Sequence, residues 1–233
     1  MLEELKRRVY QANIALVKAG LVILTWGNVS EKDDETGYIV IKPSGVSYDK
    51  MKESDMVVVD LNGKVIEGNL NPSSDTPTHI EMYKAHPEIK AIVHTHSFHA
   101  TARSQSGLPL PCYGTTHADS FKGEVPVTRK LTKEEVENDY EKNTGKVINE
   151  CLTNVKDIYA CPGIFVNNHG PFTWGENAFK AVENALILEY VCALAMESKA
   201  INPHLSEIDK FLEDKHYYRK HGKDKYYGQK EEK

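Results

Sequence analysis

The sequence predicts an α/β fold in which a central, mostly antiparallel β-sheet is covered by helices. Short apolar runs of strand length alternate with segments whose apolar residues recur at helical spacing. The pair Asn62-Gly63 stands between two such runs, as in an antiparallel hairpin, because Asn-Gly accommodates positive φ angles. The chain has 233 residues without an internal repeat or a low-complexity linker, so we expect a single domain over residues 1–233.

The first third of the chain predicts one helix followed by four strands. Apolar residues recur at helical spacing from Leu2 to Leu16, and Gly20 supplies a C-terminal stop. A polar segment at 31–36 separates the first two strands, and the Asn-Gly turn separates the last two. The predicted strands are 21–24, 37–41, 56–60 and 64–67.

The rest of the chain predicts four more helices and two or three more strands. Segment 71–77 is too rich in turn-forming residues to be regular structure. Thr132-Lys-Glu-Glu135 matches a capping box, and Asn177 can cap the long helix that follows it. The predicted helices are 78–86, 132 to about 151, 177 to about 199, and one from about 206; the predicted strands are the one ending at His94-Thr-His96 and one or two within 158–167.

Composition excludes several classes of protein. The net charge of −5 and the pI near 6.1 do not favour a broad nucleic-acid or membrane surface. No apolar stretch approaches the roughly 20 residues that span a bilayer, and the first residues lack the apolar region of a signal peptide, so we expect a cytoplasmic protein. The four cysteines are widely spaced and are expected to be free thiols rather than a disulfide framework or a zinc ribbon.

The segment from Ala91 to His99 carries the clearest chemical pattern. Successive side chains of a strand point to opposite faces, so His94 and His96 point the same way. With His169 at the end of another strand, they would form a tripod for a divalent metal, for which zinc is the first choice. A His-x-His pair alone is weak evidence, because histidines also serve as ordinary hydrogen-bonding residues. His99 lies past the strand and is expected to be structural.

Three short polar loops contain groups that hold a phosphate dianion. Serine hydroxyls, glycine backbone amides and one lysine are such groups. Each loop taken alone is more simply an ordinary turn, and none fits the Walker or dinucleotide fingerprints. The loops are Trp26-Gly-Asn-Val-Ser30, Lys42-Pro-Ser-Gly45 and Pro72-Ser-Ser-Asp75.

Two further segments point to proton transfer and to an interface. Asp119, in the loop 114–119, is either a helix cap or turn former, or a carboxylate that acts as an acid or base near a metal. The tail 216–229 holds four tyrosines and one arginine in fourteen residues. Chain ends are usually frayed, but this mixture is more typical of an interface, so we expect the tail to dock on a neighbouring subunit.

Together these segments resemble the bacterial L-ribulose-5-phosphate 4-epimerases, a family of the class II aldolase/adducin-like superfamily with a three-layer architecture. Each motif is modest, but seven in the same order, from the first helix to the last few residues, are specific. The motifs are Thr25-Trp-Gly-Asn-Val-Ser30, Ile41-Lys-Pro-Ser-Gly45, Pro72-Ser-Ser-Asp-Thr-Pro-Thr-His79, Val93-His-Thr-His96, Gly114-Thr-Thr-His-Ala-Asp119, Asn168-His-Gly-Pro-Phe172 and Tyr226-Tyr-Gly-Gln229.

The resemblance implies a metal site and a phosphate site. His94, His96 and His169 would bind Zn²⁺, although such a tripod also accepts Mn²⁺, Co²⁺ or Ni²⁺. Asp75 would lie beside the metal, as a ligand or as a partner of one. The implied phosphate-binding residues are Asn28, Lys42, Ser44, Gly45, Ser73, Ser74 and, from an adjacent subunit, Arg219.

The resemblance also implies the assembly and the reaction. The family is a homotetramer with sites between subunits, and Asp119 and Tyr227 would be the acid/base groups on opposite faces of the substrate, with Tyr227 supplied by the neighbour. The implied reaction is epimerisation of L-ribulose 5-phosphate to D-xylulose 5-phosphate, by retro-aldol cleavage and re-formation of the C3–C4 bond. Both L-arabinose and ascorbate catabolism use such an enzyme, and either pathway remains open.

Two other functions are weighed against this one. A sugar-phosphate aldolase of the same superfamily, such as L-fuculose-1-phosphate aldolase, would share the histidines and the loops, but these aldolases tend to carry Glu in place of Asp75. A non-catalytic, adducin-like binding module would lack the tripod, whereas all three histidines are present. We therefore expect an enzyme, and the epimerase before the aldolase.

Overall fold

Seven strands form one sheet at the centre of the molecule. The structure, a computed structural model, describes residues 2–222 and 225–228. The strands are β1 Asn28–Lys32, β2 Ile39–Ile41, β3 Val57–Val59, β4 Val65–Glu67, β5 Ala91–His94, β6 Gly163–Phe165 and β7 Pro171–Gly175. They lie in the order β4-β3-β2-β1-β5-β7-β6, and every neighbouring pair is antiparallel. The predicted fold class is confirmed.

Eight α-helices and one short 3₁₀ helix, Glu53–Asp55, accompany the sheet in the described part of the chain. The α-helices are α1 Glu3–Lys18, α2 Thr76–Ala85, α3 Phe98–Ser106, α4 Thr115–Ala118, α5 Lys133–Glu137, α6 Tyr140–Leu152, α7 Ala178–Ile201 and α8 Lys210–Lys220. Both predicted caps are present: the Thr132 hydroxyl accepts from the Glu135 N–H, and the Asn177 side chain accepts from the Lys180 N–H. None of the helices described is both long enough and apolar enough to cross a membrane.

Helices cover both faces of the sheet, because alternate strand residues point to opposite sides. On β5, Ile92 packs in a cluster with residues of α2 and α6, whereas Ala91 and Val93 pack in a cluster with residues of α1 and α7. Burying a side chain such as Ile92 contributes roughly 1.5–3 kcal/mol. The result is a three-layer arrangement, as expected. The four cysteines are free thiols, also as expected.

The predicted strand at 21–24 is wrong. Leu21 is buried against the helices of the α1 side, but Ile23 and Leu24 are exposed, and Leu24 has a φ of 56°. The chain turns here, since the Trp26 N–H bonds to the Ile23 carbonyl, and the strand begins only at Asn28. An apolar run without alternation does not distinguish a strand from a loop.

The predicted helix from Thr132 to about Cys151 is two helices, α5 and α6. The chain breaks at Asn138 and Asp139, and Asp139 has a left-handed backbone with φ 55°. A non-glycine residue seldom adopts this conformation, but Asp does so more readily than most. The break places the first turn of α6 at the cavity described below. The helices α3 and α4 have no counterpart in the sequence prediction.

The pairing of three strands positions the site. Strand β5 lies between β1 and β7, with His94 opposite Asn28 on one side and opposite Phe172 on the other. Residues that lie far apart in the chain thereby form one row across the sheet. This row stands at the end of β5, where the His-Thr-His segment leaves the sheet.

Candidate active site

Three histidines converge beyond the end of β5. Their candidate ligand atoms all lie within 4.8 Å of one another, and the His94 Nε2 is 3.1 Å from the His96 Nε2. His169 comes from the turn between β6 and β7 rather than from a strand end, and its ring centroid is 4.7 Å from that of His94. The predicted tripod of His94, His96 and His169 is therefore brought together.

The imidazoles present lone pairs to one another. The His94 Nδ1 is 3.0 Å from the carbonyl of Pro171, and since a carbonyl only accepts, this nitrogen carries a proton; in the neutral form of the ring the Nε2 then has the lone pair. Burial, followed by the charges of neighbouring histidines, lowers the pKa of His96 to about 4 and that of His169 to about 3. Neutral imidazoles at short separation are the ligand form that a divalent metal requires. The residues present thus fit a metal ion.

The turn that carries His169 depends on two small or adaptable residues. Asn168 has a φ of 61°, a left-handed conformation that Asn tolerates better than most residues. A Cβ atom at Gly170 would lie 2.8 Å from the Thr95 carbonyl oxygen, which is too close. The following Phe172 stacks on His94, with ring centroids 4.2 Å apart. The local backbone and packing therefore account for the sequence Asn-His-Gly-Pro-Phe: its Asn and Gly allow the turn, and its Phe packs on His94.

A cavity of about 390 Å³ joins the histidines to the three polar loops. Burial lowers the pKa of Lys42 to about 8, and the Asp75 carboxylate partly offsets this effect. The Lys42 Nζ lies 3.2 Å from the Thr25 carbonyl and 3.3 Å from the Pro43 carbonyl. Hydroxyls, backbone amides and a buried ammonium so close to a metal tripod are suited to a phosphorylated ligand. The predicted residues that line the cavity are Asn28, Lys42, Ser44, Gly45, Ser73, Ser74, Asp75, His94, His96 and His169.

Asp75 lines the cavity but lies outside the three-histidine cluster. Its carboxylate accepts a 2.6 Å hydrogen bond from the Asn28 side chain. Burial alone would raise the pKa of Asp75, but the neighbouring His94 and His79 and the Asn28 hydrogen bond hold it below the usual value. The carboxylate is therefore ionised beside the tripod. That Asp75 binds the metal stays a prediction.

Asp119, Arg219 and Tyr227 do not line this cavity; they form a second group at α4 and α8. The Asp119 carboxylate accepts from the Arg219 Nε at 3.0 Å and from its terminal nitrogen at 2.7 Å, and it lies 3.0 Å from the His216 Nδ1. Burial opposes ionisation of Asp119, but these partners and Lys220 lower its pKa. The Arg219 guanidinium is 5.1 Å from the centre of the Tyr227 ring. Within one chain, these residues stand together and apart from the tripod; Gln229, the end of the predicted tail, lies outside the described residues.

The sequence prediction missed two residues of the cavity and placed one other histidine correctly outside it. Tyr140 and Glu141 line the cavity, and the Tyr140 hydroxyl is 3.3 Å from the His169 Nδ1. Treating 132–151 as one helix concealed them, although Asn138-Asp139 is a pair that can end one helix and begin another. His99 instead contacts Glu189, at 2.7 Å, as expected of a structural residue.

Comparison with known proteins identifies the family of the chain and several proteins of similar structure. Residues 7–196 match the family described as Class II Aldolase and Adducin N-terminal domain. An L-fuculose 1-phosphate aldolase has a similar structure, with a TM-score of 0.78 and 26% identity, over 93% of this chain and 95% of that chain. An L-fuculose 1-phosphate aldolase from Glaciozyma antarctica PI12 gives 0.76 at 24% identity, over 93% and 81% of the two chains. YgbL from Klebsiella pneumoniae, named as a candidate aldolase/epimerase/decarboxylase, gives 0.72 at 24% identity over 92% and 99%. The latter two likenesses show a shared fold.

Proposed function

Since the chain belongs to the class II aldolase and adducin family, we propose that it is a metal-dependent L-ribulose-5-phosphate 4-epimerase. The observation that carries this proposal is the cavity that joins three imidazoles to a buried lysine and two serine loops. Such a cavity suits a substrate with a phosphate at one end and oxygen atoms near a metal at the other. A sugar phosphate has both. The proposed ion is Zn²⁺, with Mn²⁺, Co²⁺ or Ni²⁺ as substitutes.

The reaction must break a carbon–carbon bond, because the C4 hydrogen of L-ribulose 5-phosphate is not adjacent to the ketone and is not acidic. A base removes the C4 hydroxyl proton, and the C3–C4 bond breaks to give glycolaldehyde phosphate and the enediolate of dihydroxyacetone. The aldehyde turns its other face, the bond re-forms, and an acid returns a proton to the C4 oxygen. A divalent ion in the tripod would supply the positive charge that stabilises the enediolate.

The residues of the cavity hold the substrate. In this proposal Lys42 supplies the charge for the phosphate, and the serine loops with Asn28 supply hydrogen bonds. Arg219 would add a second charge from a neighbouring subunit. Asp119 and Tyr227 would be the acid/base pair, and their position beside Arg219 means that all three would enter the neighbour's site together. The Lys220 Nζ also lies beside the Tyr227 ring, 4.5 Å from its centre.

A class II aldolase is the alternative, and the 26% identical L-fuculose 1-phosphate aldolase favours it. The side chain at position 75 argues against an aldolase. These aldolases tend to use a Glu there to move a proton, whereas Asp75 is one methylene shorter and its carboxylate is bound to Asn28 at 2.6 Å. We therefore place the epimerase first.

Product analysis separates the two functions. The purified protein is incubated with L-ribulose 5-phosphate, and the products are followed by NMR. If the protein is the epimerase, we expect it to form D-xylulose 5-phosphate, to lose turnover after chelation, and to regain turnover when Zn²⁺ is restored. Accumulation of glycolaldehyde phosphate and dihydroxyacetone without the epimer would instead identify an aldolase. His96→Asn is the control variant: its metal content should fall, and full zinc retention would remove His96 from the ligand set.

A further inference from the structure

We propose that Tyr140 is a positioning residue that fixes the ring of His169 for metal binding, and that the contact between α2 and α6 holds Tyr140 in place. The proposal rests on the metal site of the proposed function. It assigns a role to a side chain that contacts a ligand residue but is not itself one of the three histidines.

The hydrogen-bond partners of the histidines lead to this role. The His94 Nδ1 donates to the Pro171 carbonyl, which directs its Nε2 towards the other rings. The His169 Nδ1 has the Tyr140 hydroxyl at 3.3 Å as its partner. If the Nε2 of His169 holds the metal, its Nδ1 would carry the proton and would donate to the Tyr140 oxygen. Tyr140 thereby orients the ring of His169, just as the Pro171 carbonyl orients the ring of His94.

Packing alone does not explain the position of Tyr140. Its ring centroid is 6.1 Å from that of His169, and the two planes are tilted by 35°, so the rings are not closely stacked. Phe172 on His94, by contrast, has a centroid distance of 4.2 Å and a plane angle of 19°. The close contact between Tyr140 and His169 is therefore the one between the hydroxyl and the Nδ1.

The start of α6 is anchored firmly to α2. The Thr78 hydroxyl donates to the Glu141 carbonyl at 2.6 Å, one residue after Tyr140. The Asn149 side chain donates to the Glu81 carbonyl at 3.0 Å, further along the same two helices. Because α2 begins directly after Asp75, one pair of helices holds both the carboxylate and the tyrosine at the cavity. The hydroxyl is therefore preorganised.

Metal affinity is the quantity that the proposal predicts. Removing the outer hydrogen-bond partner of a metal ligand typically lowers affinity about 10-fold to 100-fold. We expect Tyr140→Phe, which keeps the ring and removes the hydroxyl, to weaken Co²⁺ binding by such a factor in a competition titration with a chelator. The visible absorption bands of the bound Co²⁺ should also shift, because the His169 ring is less restrained.

Tyr159→Phe is the matched control for that experiment. Tyr159 is also half-buried, and its hydroxyl donates to the Glu88 carbonyl at 2.6 Å, but it does not line the metal cavity. Both variants lose one hydrogen-bonded hydroxyl. The control should retain the Co²⁺ affinity and spectrum of the unmodified protein. Equal affinity and an identical spectrum for Tyr140→Phe would overturn the proposal.

A second variant tests the tether and does not depend on Tyr140→Phe folding well. Thr78→Val removes the hydrogen bond to the Glu141 carbonyl but preserves the shape of the side chain, so we expect a smaller loss of Co²⁺ affinity. If the tether acts through the Tyr140 hydroxyl, the double variant loses no more than Tyr140→Phe alone. Additive losses would contradict that link. Failure of the unmodified protein to bind Co²⁺ would reject the metal site itself, and with it the proposed function.

Discussion

At the scale of single residues, Lys42 is the cation best placed for a phosphate in the cavity. Its ammonium is buried, and its two backbone carbonyl partners compensate only part of the lost hydration. Its pKa of about 8 therefore lies well below the usual 10.5. A bound phosphate dianion would favour the charged form and raise that pKa.

The first prediction concerns the pH dependence of substrate binding. Above pH 8 free Lys42 loses its proton, so binding must first restore it, and the KM for the sugar phosphate rises. The increase approaches about tenfold per pH unit until the pKa of the bound form is reached. The phosphate does not contribute in this range, since its second pKa is near 6. Steady-state kinetics between pH 7 and 9.5 measure the effect.

The variant Lys42→Met should raise the KM at pH 7 and remove the pH dependence of the KM. If the KM of the unmodified enzyme instead stays constant up to pH 9.5, Lys42 is not the cation that binds the phosphate.

At the scale of elements, what could be predicted from the sequence was local. The spacing of His94 and His96 predicted that their rings would meet, and they do, although β5 ends at His94 and His96 lies beyond the strand; the capping residues Thr132 and Asn177 begin helices as expected. The pairing of β1 with β5 is not local, since Asn28 and His94 are distant in the chain. No periodicity within either strand encodes that contact.

The position of Tyr140 at the cavity likewise could not be predicted from local sequence patterns. Its place at the cavity follows from the backbone of Asp139, which breaks a segment whose apolar pattern continues, and from the packing of α6 against α2. A capping box marks where a helix begins, but it does not report where a later residue leaves helical geometry. The three polar loops could be recognised as a set only through a resemblance, because each loop alone is an ordinary turn.

The second prediction concerns the contact between α2 and α6. Gly145 allows the two helices to approach closely: an added Cβ would lie 2.6 Å from the Glu81 Cβ and 2.9 Å from the Thr78 carbonyl oxygen. Alanine favours a helix by about 1 kcal/mol over glycine, but overpacking costs about 1–3 kcal/mol. We expect the crowding to dominate, because neither contact is with the free end of a long side chain. Gly145→Ala should lower Tm by a few degrees and, by displacing α6, weaken Co²⁺ binding.

Thermal unfolding with a second alanine variant isolates the crowding. Lys142 is exposed on the same helix, so Lys142→Ala changes a side chain without filling the space against α2. Its Tm should stay close to that of the unmodified protein. A higher Tm for Gly145→Ala would mean that helix propensity outweighs packing, and the proposed close contact would not hold.

At the scale of the whole molecule, one face of α7 carries exposed apolar side chains that the proposed assembly would cover. Phe179, Leu186 and Tyr190 are 45%, 45% and 58% exposed, and their spacing places them on one side of the helix. Leu186 and Tyr190 line a cavity together with Asp119 and Lys220. An apolar face of this kind marks an interaction surface. The proposed sharing of sites between subunits requires the tripod cavity of a neighbour to lie near the group of Asp119, Arg219 and Tyr227.

The third prediction is that two inactive chains restore activity when they assemble together. His96→Asn damages the tripod but keeps Asp119, whereas Asp119→Asn keeps the tripod. If each site combines the tripod of one subunit with Asp119 of its neighbour, random mixing in a ring gives about one quarter of the sites with both parts intact. The two variants are co-expressed with different affinity tags, mixed oligomers are purified through both tags, and epimerisation is measured.

Mixed oligomers of His94→Asn and His96→Asn are the control and should stay inactive, since every tripod is damaged. If the first mixture is no more active than its parents, Asp119 does not act across a subunit boundary, and the separation of the two residue groups within one chain would argue against any role for Asp119 at the tripod.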